Sequence, residues 1–247
     1  MNGRLKDRVA LVTGAGAGMG KATALRLAAE GAAVVCLDIR GMHETAEEVT
    51  AAGNRAVAMQ CDVGREEDWR AVRDRTCEDF GRIDILANVA GLVINDTVAE
   101  MTNDRLNRLL DVNLRGPLLG MREVLPLMVA QQAGKVVNVS TSGTLLGAPN
   151  HASYSASKGG LNAVTLQAAV EYASCNIQIN CVCPGATNTA MVAQTPDETM
   201  AVIRSRIPAQ RIAEPSELAA VIAFLASSDS DYLSGAIIPA DGGMVAS

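Results

Sequence analysis

Aromatic side chains are nearly missing from this chain of 247 residues, at 2%, with one tryptophan, three tyrosines and two phenylalanines. The core therefore has to be filled by Ala, Val, Leu, Ile and Met, which suit closely packed helix–sheet layers and lean towards an α/β fold. Positive charge is in short supply too. Lys and Arg number 21 against 27 Asp and Glu, a formal charge of −6, and no long basic run interrupts the chain. An electrostatic footprint for nucleic acid is lacking, so no nucleic-acid partner is expected. No run of about 18 apolar residues exists, so no membrane span and no membrane partner are expected. Arg4, Lys6, Asp7 and Arg8 precede an apolar run too short for a signal peptide. The six cysteines, Cys36, Cys61, Cys77, Cys175, Cys181 and Cys183, contain no C-x-x-C pair, and no His/Cys/carboxylate cluster has metal-ligand spacing. Free buried thiols in a reducing, cytoplasmic compartment and a metal-free site are the expectations.

What is present is an orderly alternation. Hydrophobic residues at 49% and charged residues at 19% are ordinary for a folded chain, and no low-complexity linker or repeat divides it, so residues 1–247 read as one domain. Residues 8–13 form an apolar, β-branched run that feeds Gly14-Ala15-Gly16-Ala17-Gly18-Met19-Gly20, and residues 21–30 continue as a helix stopped at Gly31. Strand candidates recur at 32–37, 55–60, 83–87, 135–140, 177–182 and 236–239, with helical stretches at 42–52, 66–79, 103–131, 153–172 and 214–226 between them. Gly116 and Pro117 are expected to kink or break the stretch 103–131. Strands alternating with helices predict a parallel sheet. Residues 187–210 are less regular, as in a substrate flap.

Two places carry chemistry. The glycine turn sits between a buried strand and a helix, where backbone N–H groups can approach a pyrophosphate at the positive end of the helix dipole. Its spacing, Gly14, Gly18 and Gly20 with Gly16 additional, departs from G-x-G-x-x-G. Asp38 closes the second strand, where a carboxylate can take the adenosine ribose hydroxyls and repel a 2′-phosphate, which favours NAD over NADP. The second place is Tyr154-Ser155-Ala156-Ser157-Lys158. On a helix the phenol and ammonium lie one above the other and can reach one point, and a fixed cation favours the phenolate.

In order, Thr13-Gly14-Ala15-Gly16-Ala17-Gly18-Met19-Gly20, Asp62-Val63, Asn88-Val89-Ala90-Gly91, Asn113, Asn138-Val139-Ser140-Thr141, Tyr154-x-x-x-Lys158, Pro184-Gly185 and Thr189 give nearly the whole chain a pattern that resembles the classical short-chain dehydrogenase/reductase family. The resemblance implies a single Rossmann-type, doubly wound domain with a seven-stranded parallel sheet, commonly assembled as homotetramers. It implies Tyr154 as general acid/base, Lys158 as the residue that binds the nicotinamide ribose and lowers the tyrosine pKa, and Asn113 as the anchor of a relay water. Gly14, Gly16, Gly18, Met19, Gly20, Asp38, Asn88, Ala90 and Gly91 would line the dinucleotide cleft. Asp62 and Val63 would hold adenine, and Pro184, Gly185, Thr187 and Thr189 the carboxamide end. The family usually has serine where this chain has Thr141. A threonine hydroxyl donates and accepts alike, so Thr141 takes the substrate-orienting role, with a register shift to Ser140 or Ser142 as the alternative.

The expected activity is reversible hydride transfer between nicotinamide and a secondary alcohol or ketone. Leu92, Val93, Leu145, His151, Met191 and residues 192–203 are candidate pocket walls, mostly apolar, and His151 reads as a loop-surface histidine rather than a substrate contact. A 3-oxoacyl thioester reductase and a non-catalytic dinucleotide-binding redox sensor are the competing readings.

Overall fold

The computed structural model describes residues 3–190, 192 and 196–247, without the side chain of Asp197. Seven strands, β1 Val9–Thr13, β2 Ala33–Asp38, β3 Ala56–Gln60, β4 Ile85–Asn88, β5 Gly134–Val139, β6 Ile177–Pro184 and β7 Ile237–Ala240, form one sheet in the order β3-β2-β1-β4-β5-β6-β7. Every adjacent pair is parallel. The chain runs outward from β1 to β3, then returns to β4 on the other side of β1. That reversal opens a crevice at the carboxyl ends of β1 and β4, where ligands bind in doubly wound sheets.

The helices are α1 Gly18–Ala29, α2 Met42–Ala51, α3 Glu66–Phe80, α4 Asn103–Leu110, α5 Gly116–Gln131, α6 Gly143–Leu146, α7 Ala152–Tyr172, α8 Asp197–Ser205 and α9 Pro215–Ala226. Alternation along the strands fills both sides of the sheet. Ala10 and Val12 of β1 join α1 and α9 through Ala24, Leu27, Leu218 and Ile222, whereas Leu11 faces the opposite layer with Trp69, Val124 and Met128. Among the described residues, the buried hydrophobic members of the two layers include no aromatic but Trp69, with Phe80, Tyr172 and Phe224 packed half-buried at their margins.

Two differences from the sequence reading matter for the site. The helical stretch 103–131 is not broken at Gly116 and Pro117; it passes through a wide π-turn, Asp111–Arg115, between α4 and α5. Pro117 has no N–H to give the carbonyl four residues back, that of Asn113, so regular α-helical bonding fails there. The stretch 187–210 contains a regular helix, α8, on which Met200 is buried at 7% exposure and Ile203 half-buried, giving it an apolar side to pack. Met191, one of the candidate pocket walls, lies outside the described residues. No helix among the described residues is long and apolar enough to cross a membrane.

Candidate active site

The glycine turn is shaped by missing side chains. A Cβ on Gly16 would fall 2.0 Å from the Arg40 carbonyl oxygen, and one on Gly20 would fall 1.9 Å from that of Gly14. Both contacts are impossible, so any side chain at either position would force the turn apart. α1 then begins without a side-chain cap and without an acidic residue in its first turn, which leaves its N–H groups and dipole free for an anion. Met19 sits half-buried in that first turn, packed on the core beneath. At the end of β2, one Asp38 oxygen accepts from the Gly16 N–H at 2.9 Å and the other from the Ile39 N–H at 2.7 Å. Asp38 is thereby fixed against the turn. These residues fit a dinucleotide: a cradle that a Cβ would fill, a free helix N-terminus and a held carboxylate beside it.

The crevice is tied together by one hydroxyl. Thr13 Oγ1 accepts from the Val89 and Ala90 N–H groups, both at 3.0 Å, which joins the ends of β1 and β4. Asn88 donates to Asn138 Oδ1 at 2.9 Å, and its own buried Oδ1 has no partner among the described residues. A Cβ on Gly91 would lie 3.2 Å from Asn113 Oδ1 and 3.3 Å from Lys158 Nζ. Three predicted site residues therefore meet at one point. Beyond β6, the Gly185 N–H donates to the Ala240 carbonyl at 3.0 Å and the buried Thr187 hydroxyl to the Gly185 carbonyl at 3.1 Å. The Thr189 methyl stands 3.3 Å from where a Gly18 Cβ would be, so the segment after Pro184 reaches over the start of α1.

Asn113 is fully buried, contrary to what a polar residue on a helix suggests locally. Its Oδ1 accepts from the Leu92 N–H at 2.9 Å, and its Nδ2 donates to the Leu92 carbonyl at 2.9 Å and to Ser157 Oγ at 3.1 Å. The side chain is spent on holding the loop after Gly91 to α7. Pro117 has no N–H to give the Asn113 backbone carbonyl in α-helical register.

Tyr154 and Lys158 lie one turn apart on α7. Burial pushes the Tyr154 phenol up to about 12, and the Thr141 hydroxyl acts on it in the opposite direction. Lys158, 3% exposed, is pulled by burial down to about 8, and its Nζ donates to the Val139 carbonyl at 2.7 Å. The expected lowering of the phenol by Lys158 is thus not produced by these protein groups: burial raises the phenol, only the Thr141 hydroxyl opposes it, and the ammonium is turned to the end of β5. Thr141 Oγ1 accepts from the Gly143 N–H at 3.3 Å. Ser140 donates to the Lys158 carbonyl at 3.1 Å and is buried, as is Ser142, so Thr141 is the hydroxyl turned to the phenol.

The two residues expected at the adenine, Asp62 and Val63, differ in exposure. Asp62 is exposed at the end of β3, accepting from the Gly64 N–H at 3.0 Å. Val63 is 8% exposed, and its carbonyl accepts from Trp69 Nε1 at 2.9 Å. A Cβ on Gly116 would lie 2.8 Å from Val63 Cγ2, and the Val63 side chain belongs to the core, which leaves its backbone as the part open to adenine.

Two residues of the site went unnoticed in the sequence. Asp96 accepts from the Ser153 N–H at 3.0 Å and the Ser153 hydroxyl at 2.6 Å, which holds its carboxyl below the usual range and caps the start of α7. No local signal announces a cap supplied from 57 residues away. Asn162 donates to Thr144 Oγ1 at 2.9 Å and receives Cys181 Sγ at 3.4 Å, while Thr144 donates to the Thr141 carbonyl at 2.7 Å. Its place two turns beyond Tyr154 on the same helix was readable from period alone. A separate cavity of about 510 Å³, lined by Ala186, Val221, Pro239, Gly242, Val245 and Ala246 among others, contains none of the predicted site residues.

Comparison with known proteins agrees with this arrangement. Residues 14–245 match the family model described as enoyl-(acyl carrier protein) reductase. The chain is 39% identical over 242 residues to cis-4-hydroxycyclohexanecarboxylate dehydrogenase of Sinomonas cyclohexanicum, covering 97% of each protein. It is 36% identical over 244 residues to the 3-oxoacyl-[acyl-carrier-protein] reductase FabG of Thermotoga maritima, covering 98% of this chain and 99% of the other. A crystal structure from Beutenbergia cavernae, described as an NAD(P)-dependent gluconate 5-dehydrogenase with NADP bound at low occupancy, superposes with a TM-score of 0.94 at 33% identity over 98% of both chains. The chain belongs to the classical short-chain dehydrogenase/reductase family and is a nicotinamide-dependent oxidoreductase acting between secondary alcohols and ketones.

Proposed function

We propose that this protein is an NAD-preferring dehydrogenase of secondary alcohols carried on a largely apolar frame, with Tyr154 as the general acid/base. The observation that carries the reading is the convergence of Gly91, Asn113 and Lys158 at one point, with Tyr154 one helical turn before Lys158 and acted on by the Thr141 hydroxyl. The nicotinamide ring, when bound, supplies the hydride acceptor or donor. The side chains of this chain do the rest. Thr141 holds the substrate oxygen, Tyr154 exchanges its proton, and Lys158 binds the ribose. The Asn113 carbonyl holds a water that connects Lys158 to solvent. Gly14, Gly16, Gly18, Met19 and Gly20 receive the pyrophosphate, Asp38 the adenosine ribose, Asp62 the adenine, and Gly185, Thr187 and Thr189 the carboxamide. Thr141 is assigned by its direction: Thr141→Ala should lower turnover by about 30-fold or more, within the range for one lost hydrogen bond to developing charge, and Ser142→Ala should change it little. The reverse ranking in initial-rate measurements would move the role to Ser142.

NAD is preferred because a 2′-phosphate would meet the Asp38 carboxylate. The NADP-bound neighbour is the reason to test this preference directly. Residues 1–247 act as one domain, with the segment 187–210 closing over substrate, and the protein works in the cytoplasm as a homotetramer. A second reading, reduction of 3-oxoacyl thioesters, is favoured by the Thermotoga maritima relative. The net charge of −6 disfavours docking of an acidic carrier.

The direct test is label transfer. With cyclohexanol deuterated at the carbinol carbon and NAD⁺, proton NMR should find deuterium at nicotinamide C4; reduced cofactor carrying only protium there would rule the reading out. The pH profile follows from the two shifts. A phenol pushed up by burial is rarely ionised at neutral pH, so kcat/KM for oxidation should rise by nearly tenfold per unit from about pH 6 to 8. Above about pH 8 the Lys158 charge is lost and the rise should slow. A flat oxidation profile across this range would contradict both assignments.

A further inference from the structure

The sequence leaves His151 as a surface loop residue, but the folded chain gives it a defined position. Its ring centroid lies 5.8 Å from that of Tyr154 with the planes tilted by 58°, within the range of aromatic contact. It is half-buried at the start of α7, three residues before the phenol. Its backbone is pinned on both sides: the Asp96 N–H donates to the Asn150 carbonyl at 3.0 Å and the Ala152 N–H to the Asp96 carbonyl at 3.1 Å. With the Asp96 carboxylate occupied by Ser153, the imidazole is fixed as part of the corner that carries Tyr154.

The ring also has a defined donor and acceptor. His151 Nδ1 lies 2.8 Å from the Pro149 carbonyl oxygen. A carbonyl only accepts, so Nδ1 carries the hydrogen and Nε2 of the neutral ring is an acceptor. Among the described residues Nε2 has no hydrogen-bond partner. The chain segments on either side of the site offer mostly apolar groups. Leu92, Val93 and Ile94 follow Gly91, and Leu145 and Leu146, 41% and 44% exposed, follow Thr141. An acceptor fixed beside the phenol within such surroundings selects a donor on the substrate.

We propose that His151 is a specificity-determining residue that accepts a hydrogen bond through Nε2 from a second hydroxyl group of the substrate, so that diols and hydroxyketones on a compact carbon frame are the preferred class. This rests on the alcohol dehydrogenase reading above. A carboxylate in the same place would instead require a protonated ring.

The test compares cyclohexanol with cis-cyclohexane-1,4-diol in the full-length protein, His151→Phe and His151→Gln. Phenylalanine keeps a ring against Tyr154 without the acceptor, and glutamine restores a polar atom at about the reach of Nε2. The preference for the diol over cyclohexanol in kcat/KM should fall about tenfold or more in His151→Phe, chiefly through KM, and largely return in His151→Gln. A binding readout is independent of turnover. The chain has only two histidines, His43 and His151, so His151→Phe assigns the His151 Cε1 proton resonance. That resonance should shift when the diol is added to the protein and not when cyclohexanol is added. Equal losses on both alcohols, an unaltered preference, or an unmoved resonance would overturn the proposal. If the unaltered protein oxidises cyclohexanol but shows no preference for the diol, only this inference falls; if it oxidises neither, the dehydrogenase reading falls and takes this one with it.

Discussion

Tyr154→Phe should lower kcat/KM for secondary-alcohol oxidation by about 10³-fold, within the range for a positioned acid/base, while weakening dinucleotide binding by less than about tenfold. The substitution removes one oxygen and keeps the ring, so packing against His151 at 5.8 Å and the start of α7 are preserved. The phenol oxygen is the group towards which the Thr141 hydroxyl is turned, and its proton has nowhere comparable to go. Ser140, beside Thr141 in the chain, is committed to the Lys158 carbonyl. Lys158 Nζ is engaged with the Val139 carbonyl at 2.7 Å, turned to the end of β5, so it does not stand in for the phenol at the substrate oxygen. Steady-state kinetics together with calorimetric binding of NAD⁺ separate the two effects. A comparable loss in cofactor affinity would mean that the phenol acts in binding, and unaltered turnover would remove Tyr154 from the chemistry.

The second large effect is expected at Asp38. Asp38→Asn retains an oxygen for the Ile39 or Gly16 N–H groups that now bond the carboxylate at 2.7 and 2.9 Å, yet removes the negative charge. The ratio of kcat/KM with NAD to that with NADP should fall about 100-fold, because hydrogen bonds to a charged group contribute roughly 1.5–3 kcal/mol and like-charge repulsion of a 2′-phosphate is relieved together with their loss. Rates measured with both cofactors at matched alcohol concentration give the ratio. An unaltered ratio would place cofactor choice elsewhere, with Arg40 the first residue to vary.

The parts of this site that sequence discloses are those whose chemistry is local. A strand, a run of glycines and a helix in succession fix the turn at residues 14–20, because no side chain fits at Gly16 or Gly20. Tyr154 and Lys158 are linked by a single helical turn. Asp38 is set by the end of one strand. Residues whose roles depend on distant partners are a different matter. Asp96 caps a helix that begins 56 positions later at Ala152, and nothing around it in sequence says so. Asn113 reads locally as a solvated helix residue, and only the closure of the loop at Leu92 buries it. Val63 matched the family pattern, but the close approach of Gly116 draws its side chain into the core. His151 is the same problem in reverse: a loop histidine becomes part of the site once Pro149 and Tyr154 hold its ring.

The strand order was likewise accessible only through the family resemblance. Apolar alternation identifies β1 and β6, but not that β1 lies between β2 and β4. That adjacency creates the crevice, and with it the meeting of Gly91, Asn113 and Lys158. The irregular reading of 187–210 missed the helix at Asp197–Ser205 because Met200 and half-buried Ile203 supply too sparse an apolar period to stand out.

The most direct test of the whole account is the rate of cofactor reduction by a panel of secondary alcohols, measured side by side for the unaltered protein and Tyr154→Phe with NAD⁺ and with NADP⁺. The account predicts reduced nicotinamide from the unaltered protein, faster with NAD⁺, and a loss of about 10³-fold in the variant with either cofactor. Absence of reduction across the panel in a protein that binds NAD⁺, or equal rates in the two proteins, would contradict it.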